Sequence, residues 1–412
     1  MTRRMEEGVI RLEKRGAWAR VEAMAYHRLL DRIDRGLVSG AIEATLPDGT
    51  ARLIGGRAPG PVAIVTVVRW RALRRLAAGG SVGWYEGWAA GDWTSPDPVP
   101  LFDLFMRNRA SLGQAARAKG PVRWLLRGLH ALKPNSRRGA RANIAFHYDL
   151  GNDFYEAWLD PTMSYSSAVF AGEDEPLETA QRRKVAVLLD RLGLQDGSRL
   201  LEIGCGWGFL AEAAAARGAV VTALTLSAEQ AAVAQARVAA AGHGDRVTVA
   251  LTDYRDMRAT FDAIASVEMV EAIGQAQWPV YLGAIARALA PGGRAAIQYI
   301  SIADDVFDAY AESADFIQRY VFPGGLLISE RRFRALADAA GLDWVAPHAF
   351  GLDYAETLRR WRAAFDAADV EGRLPTRLDA RFCALWRYYL MYCEGGFRGG
   401  GIDVAQVTLV RR

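Results

Sequence analysis

The sequence predicts an α/β protein with a mostly parallel, doubly wound sheet in its larger C-terminal part and a smaller α+β domain before it. Two observations support this fold class. From residue 199 onward, short apolar strand patterns alternate with helical patterns, which is typical of parallel sheets covered by helices. The chain also has 412 residues, more than one hydrophobic core usually serves, so two domains are expected.

Residues 1–110 are predicted to form the small N-terminal domain. No motif in this domain carries chemistry by itself. Its predicted elements, in chain order, are a helix at 18–36, a strand at 41–46, a turn at 47–49, a strand at 62–68, a helix at 70–78 and a helix that follows Pro98 and runs to 106.

A basic segment at 111–142 is predicted to link the two domains. The stretch from Leu104 to Tyr148 contains ten Lys and Arg residues and no Asp or Glu. A basic amphipathic helix there suits an anionic membrane surface, and a packed linker helix with a solvated basic side is the alternative. No recognised nucleic-acid-binding module accompanies it, so nucleic acid is not an expected partner. The apolar residues near one helical face are Val122, Leu125, Leu126, Leu129 and Leu132.

Residues 143–412 carry the alternating pattern of the second domain. Sheets of this kind bind ligands at the carboxyl ends of their strands, so the residues that follow each strand are candidate ligand contacts. The predicted strands are 199–203, 219–224, 247–251, 261–267 and 294–300, the last preceded by a turn at 291–293, and the predicted helices are 211–217, 228–241 and 281–289.

The turn after the first of these strands has the spacing Gly-x-Gly-x-Gly, at Gly204, Gly206 and Gly208, with Glu202 before it. A glycine turn lets the backbone approach a ligand closely, and the following helix N-terminus offers free N–H groups. The spacing resembles the first motif of S-adenosylmethionine-dependent methyltransferases rather than the dinucleotide fingerprint. Glu202 is expected to organise the loop or to bind the methionyl amino group. A purely structural glycine turn is the alternative.

Two further strand ends carry candidate cofactor contacts. Thr225, Leu226 and Ser227 follow the second strand, where an acid usually holds the ribose. Asp253, Tyr254 and Arg255 follow the third strand, and an acid beside an aromatic ring suits the binding and stacking of adenine. A surface loop with a packed tyrosine is the alternative for this second group.

Four segments resemble the cyclopropane fatty acid and mycolic acid cyclopropane synthases. They are 143–167, which includes His-Tyr-Asp-Leu-Gly-Asn, the glycine loop together with 225–230, the segment 314–325 and the segment 388–397. The resemblance covers about 75–412 and implies a Rossmann-like class I methyltransferase domain at 143–412 that uses S-adenosylmethionine, with a lipid-binding-like domain before it. By position it implies cofactor contacts at Tyr165, Ser166, Glu202, Gly204, Cys205, Gly206, Gly208, Thr225, Leu226, Ser227, Gln230, Asp253, Tyr254 and Arg255.

The resemblance also implies a catalytic base site that holds a bicarbonate ion. Glu271, Ile300 and Tyr354 match the family's ligands for that ion. Ser167 stands where a cysteine is usual, and Gln298 stands where a histidine is usual. These two changes alter the donors and the basicity of the site, and they leave both bicarbonate binding and the cyclopropane product open.

Cys393 lies in the motif once assigned to an active-site cysteine of the family, but nothing adjacent in sequence activates its thiol, so a packing role is favoured. Methyl transfer to an alkene leaves a carbocation, which a dry aromatic pocket stabilises. The candidate walls of that pocket are Tyr320, Phe322, Tyr354 and Tyr389.

The composition indicates a cytoplasmic protein that is peripheral to the inner face of the membrane. No run of roughly 18 or more uncharged apolar residues is present, and the N-terminus lacks the apolar core of a signal peptide. The three cysteines, Cys205, Cys383 and Cys393, have no paired spacing, which argues against a disulfide framework or a metal site.

The resemblance therefore predicts an enzyme that methylates the double bond of unsaturated phospholipid acyl chains and forms cyclopropane fatty acids, with Glu271 assisting deprotonation directly or through a bound anion. A modified base site that forms methyl-branched or methylene chains is the first alternative. A non-catalytic lipid-binding protein and a small-molecule methyltransferase are two others, and a homodimer is left open.

Overall fold

The computed structural model describes residues 17–113, 150–312 and 315–412 and places two sheets in them. The N-terminal residues build the first sheet. Its strands β1–β4 are Ala41–Thr45, Ala51–Gly55, Val62–Val67 and Trp93–Thr94. The helices α1–α4 that accompany it are Ala17–Gly36, Arg71–Ala89, Val99–Arg107 and Arg109–Leu112.

The first sheet has the strand order β2-β1-β3-β4, with β1 parallel to β3 and the other pairs antiparallel. The predicted strands at 41–46 and 62–68 are confirmed as β1 and β3, and the helices predicted at 18–36 and after Pro98 are confirmed as α1 and α3. The predicted turn is present, but it leads into β2, which the sequence pattern does not predict. This strand is short and ends at a pair of glycines, a pattern typical of a loop.

Helix α2 is longer than the predicted 70–78, because it continues past Gly79 and Gly80. Gly80 has φ 57° and ψ −134°, so it kinks the helix instead of ending it. A Cβ atom at Gly83 would lie 2.6 Å from the carbonyl carbon of Arg75, so glycine is needed where the two halves of α2 meet.

The remaining elements form the second, larger part. Its helices α5–α15 are Asn152–Glu156, Leu177–Asp190, Phe209–Ala216, Ala228–Ala240, Val270–Ile273, Trp278–Ala288, Asp304–Ala311, Phe316–Tyr320, Glu330–Ala339, Gly351–Val370 and Ala380–Arg398. Its strands β5–β11 are Arg199–Ile203, Val220–Thr225, Val247–Leu251, Phe261–Val267, Leu289–Ile302, Leu342–Ala349 and Ile402–Arg411. Two short 3-10 helices are Tyr254–Asp256 and Gln275–Gln277.

The second sheet has the strand order β10-β11-β9-β8-β5-β6-β7, and β11 runs antiparallel to both of its neighbours. The mostly parallel sheet confirms the predicted fold class, and the five predicted strands are confirmed as β5–β9. Strand β9 begins earlier than predicted, at Leu289, because the predicted turn at 291–293 is an excursion within the strand. The sequence pattern does not predict β10 and β11.

The predicted basic linker lies outside the described residues, except for 111–113. Its amphipathic helix therefore stays a prediction, as do the domain boundaries on either side of it. The His-Tyr-Asp stretch of the first family-like segment also lies outside the described residues.

Two glycines of α15 allow α3 to pack directly against that helix. A Cβ atom at Gly395 would lie 2.8 Å from the carbonyl oxygen of Val99 and 2.9 Å from the backbone nitrogen of Asp103. A Cβ atom at Gly399 would lie 2.5 Å from the Cβ of Met106. We call this contact the glycine seam, and it joins the N-terminal helices to the C-terminal part of the chain.

The glycine seam predicts that Gly395→Ala lowers the free energy of unfolding by about 1–3 kcal/mol, because the added methyl group meets backbone atoms that cannot move aside. Gly283→Ala is the matched control. The nearest atom to a Cβ at Gly283 is a flexible Arg287 nitrogen at 3.4 Å. Alanine at this helical position should therefore raise the free energy of unfolding by about 1 kcal/mol. Denaturant unfolding of both variants measures the difference, and equal effects would contradict the seam.

Candidate active site

A cavity of about 640 Å³ lies at the carboxyl ends of β5 to β9 and extends toward α2, α3 and α4. Parallel strands that end at one edge bring residues from distant parts of the sequence together there. Gly208 and Ser227 do not line this cavity. The predicted cofactor residues that do line it are Tyr165, Ser166, Glu202, Gly204, Cys205, Gly206, Thr225, Leu226, Gln230, Asp253, Tyr254 and Arg255.

The glycine loop between β5 and α7 presents backbone to the cavity. Gly204, Gly206 and Gly208 have φ angles of 82°, 50° and 86°, in the left-handed region that favours glycine. A Cβ atom at Gly204 would lie 2.5 Å from the sulfur of Met269, and one at Gly208 would lie 2.8 Å from the Cβ of Ala234. Gly208 therefore serves the packing of α7 against α8, and its predicted contact with the cofactor stays a prediction.

Glu202 is the acidic group of this loop. It is buried, its Oε2 has no hydrogen-bond partner among the described residues, and burial raises its pKa to about 8. A buried carboxyl oxygen without a hydrogen-bond partner, beside an open cavity and a glycine turn, fits a cationic group such as the methionyl ammonium of S-adenosylmethionine. Burial also raises the pKa of the Cys205 thiol, which keeps that cysteine from acting as a nucleophile.

The turn after β6 is held by three side chains. Ser227 Oγ accepts a hydrogen bond from the backbone nitrogen of Gln230 at 3.2 Å and thereby caps α8. Thr225 Oγ1 accepts from the backbone nitrogen of Ser227 at 3.1 Å and donates to Gln230 Oε1 at 3.0 Å. Thr225, Leu226 and Gln230 face the cavity, whereas Ser227 shapes the turn from behind it.

The residues after β7 form a local ion pair at the cavity wall. Asp253 Oδ2 and Arg255 Nη2 are 2.5 Å apart, and the same carboxylate accepts from the backbone nitrogen of Arg255 at 3.0 Å. The ring of Tyr254 packs edge-on against Tyr281 with centroids 5.5 Å apart, and burial raises the pKa of Tyr254 to about 12. An adenine group at this edge would meet the ring of Tyr254 and a carboxylate already paired with Arg255.

The predicted base site is organised around Glu268, which the sequence analysis missed. Its Oε1 accepts hydrogen bonds from the backbone nitrogen of Ser167 at 3.0 Å and from Gln298 Nε2 at 2.9 Å. Its Oε2 accepts from the hydroxyl of Tyr354 at 2.8 Å. Glu268 lines the cavity, whereas Ser167 and Gln298 lie behind it. Burial raises the pKa of Glu268, and the three donated hydrogen bonds oppose that rise.

The backbone at Glu268 is strained. Its φ is 53°, a left-handed conformation that costs about 1–3 kcal/mol for a residue with a side chain. The residue follows the last position of β8, and its backbone nitrogen donates to the carbonyl oxygen of Gln298 at 2.8 Å. This bond to β9 fixes the turn that aims the carboxylate into the cavity. Strain of this kind is typical of functional positions.

The two remaining predicted ligands, Glu271 and Ile300, bond to each other, because the backbone nitrogen of Ile300 donates to Glu271 Oε1. Burial and the neighbouring Glu268 raise the pKa of Glu271 to about 8. These residues do not fit a bicarbonate ion. Glu268 already uses the donors that the ion would need, and a further anion beside its carboxylate would be repelled.

Lys184 of α6 is a second functional group that the sequence analysis missed. It is 2% exposed, lines the cavity, and donates from Nζ to Ser166 Oγ at 2.6 Å. Burial lowers its pKa to about 8, while the carboxyl groups of Glu268 and Glu202 oppose that change. Its carbonyl oxygen accepts from Gln406 Nε2, which also donates to Gln298 Oε1 at 3.0 Å. A buried polar ladder therefore connects Lys184 to Glu268.

Aromatic rings form much of the wall beyond the base. Of the four predicted wall residues, Phe322, Tyr354 and Tyr389 line the cavity. Tyr320 does not, because its hydroxyl donates to Glu86 Oε1 of α2 at 3.0 Å. Cys393 also lines the cavity, and burial raises the pKa of its thiol, so the thiol stays protonated.

Known proteins resemble this chain over most of its length. The sequence model of the family described as mycolic acid cyclopropane synthetase matches residues 135–407. The tuberculostearic acid methyltransferase UfaA1 of Mycobacterium tuberculosis is 40% identical, with 96% of this chain and 93% of that protein covered. The cyclopropane-fatty-acyl-phospholipid synthase of Escherichia coli is 34% identical, with 87% and 90% covered.

Among solved structures, the mycolic acid cyclopropane synthase CmaA1 complexed with SAH and CTAB is similar with a TM-score of 0.61 and 31% identity. The similarity covers 66% of this chain and 98% of that chain. It confirms the class I methyltransferase fold and the S-adenosylmethionine cofactor. The chain therefore belongs to the mycolic acid cyclopropane synthetase family and is an S-adenosylmethionine-dependent methyltransferase.

Proposed function

We propose that the protein transfers the methyl group of S-adenosylmethionine to the double bond of an unsaturated phospholipid acyl chain, and that Glu268 accepts the proton that is then lost. The proposed product is a methylene- or methyl-branched chain. The observation that carries this proposal is the enclosed Glu268 carboxylate, which faces the cavity beside the cofactor loop. Met269, the next residue, has its sulfur at the glycine loop, so the base and the loop are neighbours.

The cofactor, when bound, supplies a methyl group on a positively charged sulfur. Glu202 offers its buried carboxyl group to the ammonium of that cofactor. The rings of Phe322 and Tyr389 exclude water from the acyl carbon that becomes cationic, and their faces favour positive charge. The hydroxyls of Tyr165 and Tyr389 bond to each other at 2.9 Å, which satisfies polar groups in this otherwise aromatic wall.

Glu268 is the group best suited to accept the proton. Three hydrogen-bond donors stabilise its carboxylate, whereas Glu271 has one donor and a pKa of about 8. Burial with little hydrogen-bond support favours the protonated form of Glu271, so we assign the base to Glu268. The transfer would break the sulfur–carbon bond of the cofactor and use the π electrons of the alkene to form the new carbon–carbon bond. Loss of one proton to Glu268 then leaves its electron pair in a new double bond, so the branched product is unsaturated.

The 40% identity to a tuberculostearic acid methyltransferase, over 93% of that protein, supports the branched product. Ring closure to a cyclopropane is the second candidate. It is supported by the 34% identity to a cyclopropane-fatty-acyl-phospholipid synthase.

We also propose peripheral association with an anionic membrane on the cytoplasmic side, since the acyl substrate resides in the bilayer. The predicted basic linker supports this proposal by its charge. In the described parts of the chain, no helix is long and apolar enough to cross a membrane.

Glu268→Gln is expected to lower turnover by about a hundredfold or more, because the general base is lost while the shape is kept. Cofactor affinity, measured by calorimetry, should not change. Glu271→Gln is the matched control, since glutamine can still accept the bond from Ile300, and its turnover should fall less than about tenfold. A larger loss in Glu271→Gln than in Glu268→Gln would assign the base to Glu271 instead.

Lys184→Met is expected to move the acid limb of the pH–rate profile upward by about one pH unit. The ammonium group of Lys184 lowers the pKa of Glu268, so its removal makes the carboxylate harder to ionise. The base must be ionised to accept a proton, so activity is then reached only at higher pH. The measurement is the dependence of kcat/KM on pH. An acid limb at the same pH as in the wild type would mean that Lys184 does not influence the ionisation of the base.

The product is identified by incubation of unsaturated liposomes with methyl-deuterated S-adenosylmethionine, followed by ozonolysis and mass spectrometry of the labelled chains. We expect ozone to cleave them, because a methylene- or methyl-branched chain retains a double bond. Two retained deuteriums mean that the methyl group lost the proton, and three mean that the chain lost it. Labelled chains that survive ozone would establish the cyclopropane, and an absence of label in any lipid would overturn the proposed function.

A further inference from the structure

We propose that the apolar end of the cavity binds the methyl-terminal segment of the acyl chain, an inference that rests on the proposed function. Every wall residue contributed by α2, α3 and α4 precedes residue 135, where the family match begins. This part of the wall therefore lies outside the family match, whereas Ala309 and Phe397 on the facing side lie within it. The apolar wall residues are Leu76, Trp84, Phe102, Phe105, Met106 and Leu112.

The apolar end is continuous with the base site through α15. Phe397 of that helix lines the cavity and stacks on Tyr354, the donor to Glu268, with ring centroids 4.5 Å apart. The glycine seam brings Phe102 and Met106 of α3 against the same helix. One helix thus carries a wall of the reaction site and borders the apolar end, so a single extended ligand can occupy both.

The polar groups at this end are engaged with the protein, which leaves mainly carbon surface for a ligand. Arg109 lies at the wall and pairs with Asp305 at 3.4 Å. This chemistry favours the hydrocarbon end of a chain over its ester or phosphate end, because a polar group there would lose its bonds to water. The internal hydrogen bonds are Phe316 N to Ser81 Oγ at 3.1 Å, Gln318 N to Asp315 Oδ1 at 2.9 Å and Leu327 N to Tyr310 OH at 3.3 Å.

Gly79, beside the kink of α2, leaves room at this end. It lines the cavity, its backbone lies outside the left-handed region, and no atom lies within 4 Å of a Cβ built on it. A larger side chain at Gly79 therefore fits without strain and fills space. Ala309 of α11 is half-buried and lines the cavity from a different element. These two positions can shorten the site independently of each other.

The test compares the variants Gly79→Leu and Ala309→Leu on three phospholipid substrates. The substrates differ in their acyl chain, and each chain has one cis double bond. The first chain has sixteen carbons, with the double bond after the ninth carbon from the carboxyl end. The second chain has eighteen carbons with the double bond after the ninth, and the third has eighteen carbons with the double bond after the eleventh. The first and third share a seven-carbon segment from the bond to the methyl end, and the second has nine. Ala77→Leu, an exposed position of α2 outside the cavity wall, is the matched control.

Both cavity variants are expected to lower kcat/KM for the nine-carbon segment about tenfold relative to the seven-carbon segments, which corresponds to two methylene groups that no longer fit. The wild type and Ala77→Leu should not acquire this preference. An equal loss of kcat/KM on all three chains would overturn the inference. So would a loss that depends on the number of carbons between the carboxyl group and the double bond. Failure of the proposed function is a separate result, because the wild type would then methylate none of the three chains.

Discussion

The proposed reaction depends on keeping one carboxylate, Glu268, ionised at the cavity wall. Removing a charge from water is costly, so the structure supplies a backbone nitrogen, an amide and a phenol to it, and accepts a left-handed backbone to aim it. Gln406 and Lys184 extend this support from behind. In the proposed mechanism the base is a side chain, so its position is fixed by β8 and β9, and no separate anion has to be captured before reaction.

The charges around this carboxylate suit a cationic cofactor. Glu202 and Glu271 are buried with pKa values of about 8, and Lys184 is the buried cation that lines the same cavity. A ligand that carries positive charge on sulfur and nitrogen makes ionisation of these carboxyl groups easier when it binds. Cofactor binding and preparation of the base are thus linked by electrostatics, since Met269 places Glu268 next to the glycine loop.

The sequence locates most of the residues that line the cofactor side of the cavity, because the ends of parallel strands are readable from their apolar patterns. It does not distinguish them from Gly208 and Ser227, which shape turns behind the wall. It also fails at Glu268. The changed residues Ser167 and Gln298 indicated an altered base site, but which acid faces them depends on one residue's left-handed backbone, and no local pattern encodes that conformation.

The same limit applies to the N-terminal part. Glycines are ambiguous in sequence: the Gly79–Gly80 pair is typical of a helix end, yet Gly80 only kinks α2, and the glycines of α15 mark a helix contact instead of a break. The role of the glycines in α2 and α15 depends on how closely two elements approach each other, which the local sequence does not show. Helix α15 joins the seam, through Gly395 and Gly399, to the aromatic wall, through Tyr389 and Phe397. Whatever holds α3 against α15 therefore also holds the rings around the reacting carbon, and packing of the N-terminal helices becomes part of the chemistry.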